Sequence, residues 1–268
     1  MPLRPFGWFQ KSVQHHIELS HEQDILLRRA ADLCGKTLSA FLHDSACAAA
    51  ERTVLDQCQF YVRGHERQQL IALRQRPQPP SASLCHLMAQ TPPWQSHSAL
   101  LPPSELQLQH DTHAFDCDKI AMNDWLAHRA WQAQRNHSAK TFVVCVQQRV
   151  VAYFSLSVGQ IDSREFPGHG QQIADRDHFP LPVAILTRLA VDKLYQHQGL
   201  GHALLAQAIR HVLAINQQAG VTALLTQPLN EQVARFYQGC GFVDSPAAYK
   251  QLFLPIEAMQ AAVESQPA

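Results

Sequence analysis

The chain has 268 residues, 46% of them hydrophobic, with 22 Lys+Arg balanced by 22 Asp+Glu. That length suits two modest domains with real cores, and no apolar run nears the ~20 residues of a membrane span. The halves are nearly neutral as well: residues 1–90 carry 10 Lys+Arg against 8 Asp+Glu, and the rest 12 against 14, without the basic excess of a general nucleic-acid binder.

The opening Met-Pro-Leu-Arg-Pro-Phe-Gly-Trp lacks the charged-then-apolar order of a signal peptide, so a cytoplasmic location is expected. Residues 13–19 (Val-Gln-His-His-Ile-Glu-Leu) predict a short strand. Ser20 is a helix N-cap with Gln23 as its capping-box partner. The helix it opens, His21 to about Cys34, places Ile25, Leu26, Ala30 and Leu33 on one face. Gly35 stands where a left-handed C-terminal residue belongs. Thr37 or Ser39 caps a second helix reaching about Val54. Such a segment is too small to hold a core alone. It is either a helical hairpin on a larger domain or half of an intertwined dimer.

Phe60-Tyr61-Val62 is strand-like, and Glu66 to Arg74 fits a short helix. Prolines at 77, 79, 80, 92, 93, 102 and 103 then favour an extended surface linker, with a domain boundary near 92–104. Mixed α/β structure follows. Asp118 to Gln134 is helical, Thr141 to Val146 and Val150 to Val158 form an antiparallel pair, and Pro182 to Val191 is a buried strand. Gly199 to Asn216 is a helix, Thr222 to Gln227 a strand and Asn230 to Gln238 a helix. Gly241-Phe242 opens a turn, Tyr249 to Pro255 is a closing strand, and residues 256–268 are expected to fray.

Seven cysteines stand at 34, 47, 58, 85, 117, 145 and 240, an odd number with no Cys-x-x-Cys pair. Reduced, mostly buried thiols are expected, with no disulfide framework. The sixteen histidines are scattered; His15 and His16 are adjacent and would face opposite sides of a strand. No metal site is expected.

The chemistry concentrates in Gln196-His197-Gln198-Gly199-Leu200-Gly201, between a strand end and a helix start. Free N–H groups and the positive dipole end meet there, and glycines let backbone approach an anion closely. The six residues by themselves fit either a pyrophosphate cradle or a tight turn.

In the order strand, Gln-x-x-Gly-x-Gly, helix, strand, helix, residues 108–256 resemble the GNAT acyl-CoA N-acetyltransferases. Gln196, Gly199 and Gly201 match the pyrophosphate loop, and Arg188-Leu189-Ala190-Val191-Asp192 the strand before it. Asn230 and Phe236-Tyr237 match the next strand-helix unit. Phe115-Asp116-Cys117, Asn123-Asp124-Trp125-Leu126, Thr141-Phe142-Val143-Val144, Tyr153-Phe154-Ser155-Leu156 and Arg235-Phe236-Tyr237 before Gly241-Phe242 narrow the likeness to GNAT toxins of toxin–antitoxin modules, which acetylate the free amine of aminoacyl-tRNA. The resemblance implies acetyl-CoA as cosubstrate and Tyr237 as the catalytic acid. The implied cofactor-binding residues are Leu189, Ala190, Val191, Gln196, His197, Gln198, Gly199, Leu200, Gly201, His202 and Asn230.

The first ninety residues resemble the antitoxin encoded beside such toxins. Ile17-Glu-Leu-Ser, Arg28-Arg29-Ala30-Ala31 and Gly35-Lys36-Thr37-Leu38-Ser39-Ala40-Phe41 match its ribbon–helix–helix, and residues 53–94 its toxin-wrapping tail. The implied fold is therefore α+β: a ribbon–helix–helix (1–58), a tail and linker (59–104), a GNAT mixed α/β domain with a splayed sheet (105–258) and a terminal tail (259–268).

A self-inhibited acetyltransferase is thus expected, dimeric through the ribbon, with aminoacyl-tRNA and operator DNA as partners and no membrane. Gln14, His16 and Glu18 hold the DNA-reading positions, where such proteins often carry basic residues. Gln198 likewise stands where a basic residue is frequent, and residues 167–178 are poor in Lys and Arg. An alternative follows: a dimeric DNA-binding autoregulator with an inactive acetyltransferase half.

Overall fold

The computed structural model describes residues 13–62, 64–75, 79–96, 99–163, 180–246 and 250–265. It divides into two compact units, Met1–Val54 and Leu55–Ala268.

In the first unit, α1 (His21–Leu33) starts at the capping box: Ser20 Oγ accepts from Gln23 N at 3.3 Å, and Gln23 Oε1 accepts from Ser20 N at 2.9 Å. Gly35, at φ +63°, turns the chain. Thr37 Oγ1 then accepts from Ala40 N at 3.2 Å and caps α2 (Leu38–Leu55). One expectation fails here. Residues 13–20 form no strand, and Gln14, His16 and Glu18 are exposed without regular structure. A strand needs a neighbour to satisfy its backbone groups, and among the described residues none pairs with this segment. Nor is the apolar face of α1 buried: Ile25, Leu26 and Leu33 are open to solvent, and only Ala31 is enclosed.

The second unit is built on an eight-stranded sheet of order β2-β3-β4-β5-β6-β8-β7, with β1 joined to β4. The strands are β1 (Gln59–Val62), β2 (Ser104–Glu105), β3 (Lys140–Val146), β4 (Arg149–Ser163), β5 (Leu181–Val191), β6 (Ala223–Thr226), β7 (Val243–Asp244) and β8 (Leu252–Pro255). The nearly continuous apolar runs of β3, β4 and β5 suit a sheet covered on both faces.

On one face, α8 (Leu200–Ala219) buries Leu204, Leu205, Ile209 and Val212 among Phe154, Leu186 and Leu224. On another part of the sheet, α6 (Ile120–Asp124), a π-helical turn (Trp125–Arg129) and α7 (Ala130–Arg135) enclose Trp125, Leu126 and Ala130 with Val143 and Tyr153.

The described residues 55–62, 64–75 and 79–96 do not run as a linker over the surface. They form β1, α3 (Gly64–Gln75), α4 (Ala82–Ala89) and the single turn α5 (Pro93–Ser96), all within the second unit. Ser81 Oγ accepts from Leu84 N at 3.1 Å and starts α4, whose Leu84, Leu87 and Met88 enter the α8 core. Pro79, Pro80, Pro92 and Pro93 flank this helix rather than interrupt it. Pro77 lies outside the described residues, as does Tyr249, the expected start of the closing strand. Residues 256–264 are not frayed: α10 (Ile256–Glu264) buries Ile256, Met259 and Ala262.

β1 extends the sheet in an unusual way. β4 is long, 15 residues, and β3 pairs with it only as far as Leu156. β1 takes the remainder, in parallel, from Gln59↔Gln160 to Val62↔Ser163. Phe60 and Val62 then fill a core with Leu70, Ile161, Val183 and Phe253.

Of the seven cysteines, only Cys117, Cys145 and Cys240 are buried, while Cys34, Cys47 and Cys58 are exposed; all are free thiols. Among the described residues no group of His, Cys, Asp and Glu is arranged to hold a metal, and no helix is long and apolar enough to cross a membrane.

Candidate active site

The site begins where the sheet divides. β5 and β6 run parallel but pair at only three positions, Ala184↔Leu224, Ile185↔Leu225 and Leu186↔Thr226. β6 ends at Thr226 while β5 continues to Val191, so residues 187–191 have β4 on one side and an open fork on the other.

Alternation along β5 decides which backbone groups face the fork. Asp192 N donates to Val151 O at 2.9 Å, toward β4. Ala190 and Arg188 share that orientation, opposite Tyr153 and Ser155. Leu189 and Val191 therefore turn their N–H and C=O groups into the fork. Gln196 Nε2 donates to Val191 O at 3.0 Å, which ties the following loop back to the strand.

That loop is set by three devices. Asp192, almost fully buried, accepts from Leu194 N at 3.0 Å, Asp116 N at 3.2 Å and Arg149 Nη2 at 3.0 Å. His197 (φ +60°) and Gly199 (φ +82°) both take left-handed backbone. Gly199 is the N-cap of α8 and makes no side-chain cap bond, which leaves the N–H groups of the first turn, Leu200 to His202, without an intrahelical acceptor. A diphosphate fits this terminus: the donors converge, the dipole of a 20-residue helix favours negative charge, and Gly199 keeps the approach clear. Gln198 and His202 are exposed beside it.

α9 (Glu231–Gly239) closes the other side of the fork. Asn230 is its N-cap, with Oδ1 accepting from Val233 N at 2.9 Å. Phe236 packs edge-on against His202, ring centroids 5.0 Å apart, and against Tyr237. The Tyr237 side chain shares a hydrogen bond with that of Thr226, the last paired residue of β6. Tyr237 is 4% exposed, and burial pushes its phenol up to about 12, partly opposed by the Thr226 bond. The hydroxyl thus stays protonated at any physiological pH.

The structure accordingly brings Leu189, Val191, Gln196, His197, Gly199, Leu200, Gly201, His202 and Tyr237 to one fork and the helix terminus beside it. Ala190 turns its backbone to β4, and Asn230 spends its carbonyl oxygen on capping. Gln14, His16 and Glu18 lie in the other unit. Segment 167–178, poor in Lys and Arg, lies outside the described residues.

A second feature at the fork is not apparent from sequence motifs. Arg188, 2% exposed, stacks on Trp125 with Cζ 3.6 Å from the ring centroid, and its Nη2 donates to Asp56 Oδ1 at 2.6 Å. Arg129 Nη2 donates to Asp56 Oδ2 at 2.8 Å. Burial would raise the Asp56 carboxyl, but the hydrogen bonds from Arg188 and then Arg129 hold it below the usual carboxylate range. One sequence signal existed, a charged residue inside the apolar run of β5, where a buried charge requires a partner. The partner, 132 residues away, was not legible.

The tail reaches the start of α8 at one place and packs against the turn after α9 at another. Pro93 Cγ stands 3.8 Å from where a Cβ on Gly199 would be. A Cβ on Gly241, which has φ +96°, would stand 2.7 Å from Ser81 Oγ and 3.0 Å from Leu84 Cβ.

Comparison with known proteins divides the chain between residues 93 and 104, well beyond the division of the structure at Val54/Leu55. Residues 16–93 match a family model described as antitoxin TacA 1-like, and residues 104–242 match the acetyltransferase (GNAT) family. A tRNA-acetylating toxin of Mycobacterium tuberculosis strain H37Rv is 30% identical over 152 residues, 57% of this chain and 90% of that protein. A probable toxin TacT of Sinorhizobium fredii strain NGR234 is 24% identical over 165 residues, 55% of this chain and 86% of that one. Among solved structures, AtaTR bound with AcCoA is 25% identical with TM-score 0.54, covering 61% of this chain and 98% of that chain. AtaT complexed with acetyl-methionyl-tRNAfMet is 25% identical with TM-score 0.51, covering 60% and 97%.

Proposed function

The chain belongs to the acetyltransferase (GNAT) family, and from that premise we propose that it transfers the acetyl group of acetyl-CoA to the free amine of an aminoacyl-tRNA, with residues 55–96 restraining the reaction. One observation carries the reading: the fork-facing edge of β5, the start of α8 with first-turn N–H groups that lack an intrahelical acceptor, and the Tyr237–Thr226 bond at the end of β6 all border the split between β5 and β6. The relatives that are described as tRNA-acetylating, or solved with an acetylated tRNA, support this choice of acceptor.

Acetyl-CoA supplies the activated acyl group. The N–H groups at the start of α8 hold its diphosphate, and the fork-facing groups of Leu189 and Val191 hold the extended arm and polarise the thioester carbonyl. The acceptor amine attacks in its neutral form: a C–N bond forms, the C–S bond breaks, and the amine proton passes to solvent. Tyr237 releases Thr226 and donates its O–H to the departing sulfur. A phenol held near pKa 12 is a weaker acid than a thiol, so its hydrogen bond stabilises the developing thiolate before any proton moves. No enzyme nucleophile is required.

Restraint by the tail is supported by its position. β1 and α4 belong to the compact unit that contains the fork, and Asp56 engages Arg188 beside it. Fusion supplies an effective local concentration of about millimolar or more. In vitro acetylation of aminoacyl-tRNA with labelled acetyl-CoA tests the proposal, comparing the full-length chain with Gly159→Val, whose side chain would collide with Cys58 O and loosen β1. Transfer should rise in the loosened variant and disappear when Tyr237→Phe is added. If neither protein transfers acetyl while both bind acetyl-CoA, the acceptor assignment is wrong.

A second reading, a DNA-binding autoregulator, is favoured by the antitoxin-like match over residues 16–93. Specific mobility shifts of its own upstream DNA at several salt concentrations test it, and absence of a specific shift for the full-length protein sinks it.

A further inference from the structure

We propose that Arg188 and Arg129, on the platform of Trp125, form an anion subsite for a phosphodiester of the acceptor RNA, and that Asp56 fills this subsite as an internal mimic of that phosphate. The inference rests on the acceptor reading above and assigns the acceptor a specific contact.

Several observations converge. The two Asp56 oxygens bridge two guanidinium groups, Oδ1 to Arg188 and Oδ2 to Arg129, as two oxygens of a phosphate would. Two cations face one anion, so the cluster is left with positive charge. Arg188 Nε is buried with no hydrogen-bond partner, a donor that a carboxylate leaves unused and that a ligand with more acceptor oxygens can satisfy. Trp125, whose Nε1 donates to Ser155 Oγ at 3.3 Å, fixes the guanidinium plane from below.

The location is right for an acceptor. Arg188 stands two residues beyond the last β5–β6 pair, Leu186↔Thr226, so its subsite opens beside the strand edge where the amine must meet the thioester. Asp56 also borders a cleft of about 480 Å³ that Thr187, Arg188, Trp125, His128 and Ser157 help to line, within the range of small-ligand sites. A purely structural ion pair would need neither the spare donor nor the open volume.

The test uses full-length protein without acetyl-CoA, with calorimetric titration of two probes, inorganic phosphate and the RNA trinucleotide CCA. Asp56→Ala should bind the trinucleotide at least about tenfold tighter than the wild type, and Asp56→Ala/Arg129→Gln should lose most of that gain. Asp56→Asn, which keeps the side-chain shape, should fall between them. No gain for the trinucleotide overturns the proposal. Gain for phosphate alone also overturns it, as an ion hole left by the missing carboxylate. Thermal stabilisation by acetyl-CoA is measured separately on the same proteins. If that fails while the trinucleotide pattern holds, the acetyltransferase reading falls and the subsite stands.

Discussion

A Cβ on Gly159 would collide with the carbonyl oxygen of Cys58 and with Ile185 Cδ1. Cys58 O in turn accepts from Gln160 N at 3.2 Å, immediately before β1 joins β4. The tail can therefore lie against the sheet only because residue 159 has no side chain.

Gly159→Val should detach β1. The backbone of residue 58 cannot give way without breaking the Gln59↔Gln160 register, which would expose Phe60 and Val62. Overpacking of this kind costs about 1–3 kcal/mol. Hydrogen exchange should rise at residues 59–62 and 160–163 while α8 stays protected. Unchanged protection of β1 would show that the strand accommodates the side chain elsewhere.

Gly199→Glu should abolish acetyl-CoA binding by placing a carboxylate at the diphosphate and a side chain at φ +82°. The strain alone costs about 1–2 kcal/mol. Acetyl-CoA at 100 times its Kd should stabilise the wild-type fold by about 2.7 kcal/mol and leave the variant unmoved. Equal stabilisation of both would remove the helix terminus from the cofactor site.

Tyr237→Phe should separate turnover from binding. Loss of the Thr226 hydrogen bond costs about 0.5–1.5 kcal/mol of stability. The melting shift produced by acetyl-CoA should persist, whereas acetyl transfer should fall by about a hundredfold or more. A loss of affinity equal to the loss of rate would instead make Tyr237 a packing residue.

Alkaline pH should destabilise the second unit. Burial raises Tyr237 from 10.0 to about 12, and Cys117, Cys145 and Cys240 from 9.0 to about 11. Between the unfolded and folded values the folded chain holds more protons. The stability these groups contribute is fully present below about pH 9 and is lost as pH rises through 11 and 12. Chemical denaturation from pH 8 to 11 should show the decline, and Tyr237→Phe should flatten its upper part. Rising stability over that interval would contradict the assigned burial.

The first unit should pair with a second copy. Ile17, Ile25, Leu26 and Leu33 are all more than half exposed, and residues 13–19 alternate as a strand without a neighbour. Sedimentation should give a dimer that Leu26→Asp dissociates, and amide protection at residues 14–18 should appear only at dimer-forming concentrations. A monomer with those amides unprotected at high concentration would reject the pairing.

Local signals were legible, and long-range ones were not. Ser20 with Gln23, Gly35, and the Gln196–Gly201 loop each act within a few residues of themselves, so their helices and turns could be read directly. The strand at 13–19 was read from a true alternation that has no partner within one chain. The prolines around α4 predict a linker, yet Leu84, Leu87 and Met88 find their core on α8, more than a hundred residues away. The fork was visible through resemblance. The contact between Asp56 and Arg188 was not, because a loop closure of that length leaves no trace in neighbouring residues.

Because Asp56 and Arg188 reside on the same polypeptide, the latch between them has no stoichiometry. Its closed fraction is a ratio of two first-order rates, the same whether a cell holds ten copies or ten thousand. Dilution at division leaves it unchanged, and an excess of one gene product cannot outnumber the other. Under the restraint proposed above, cleavage between Asp56 and the fork would therefore act on each molecule individually.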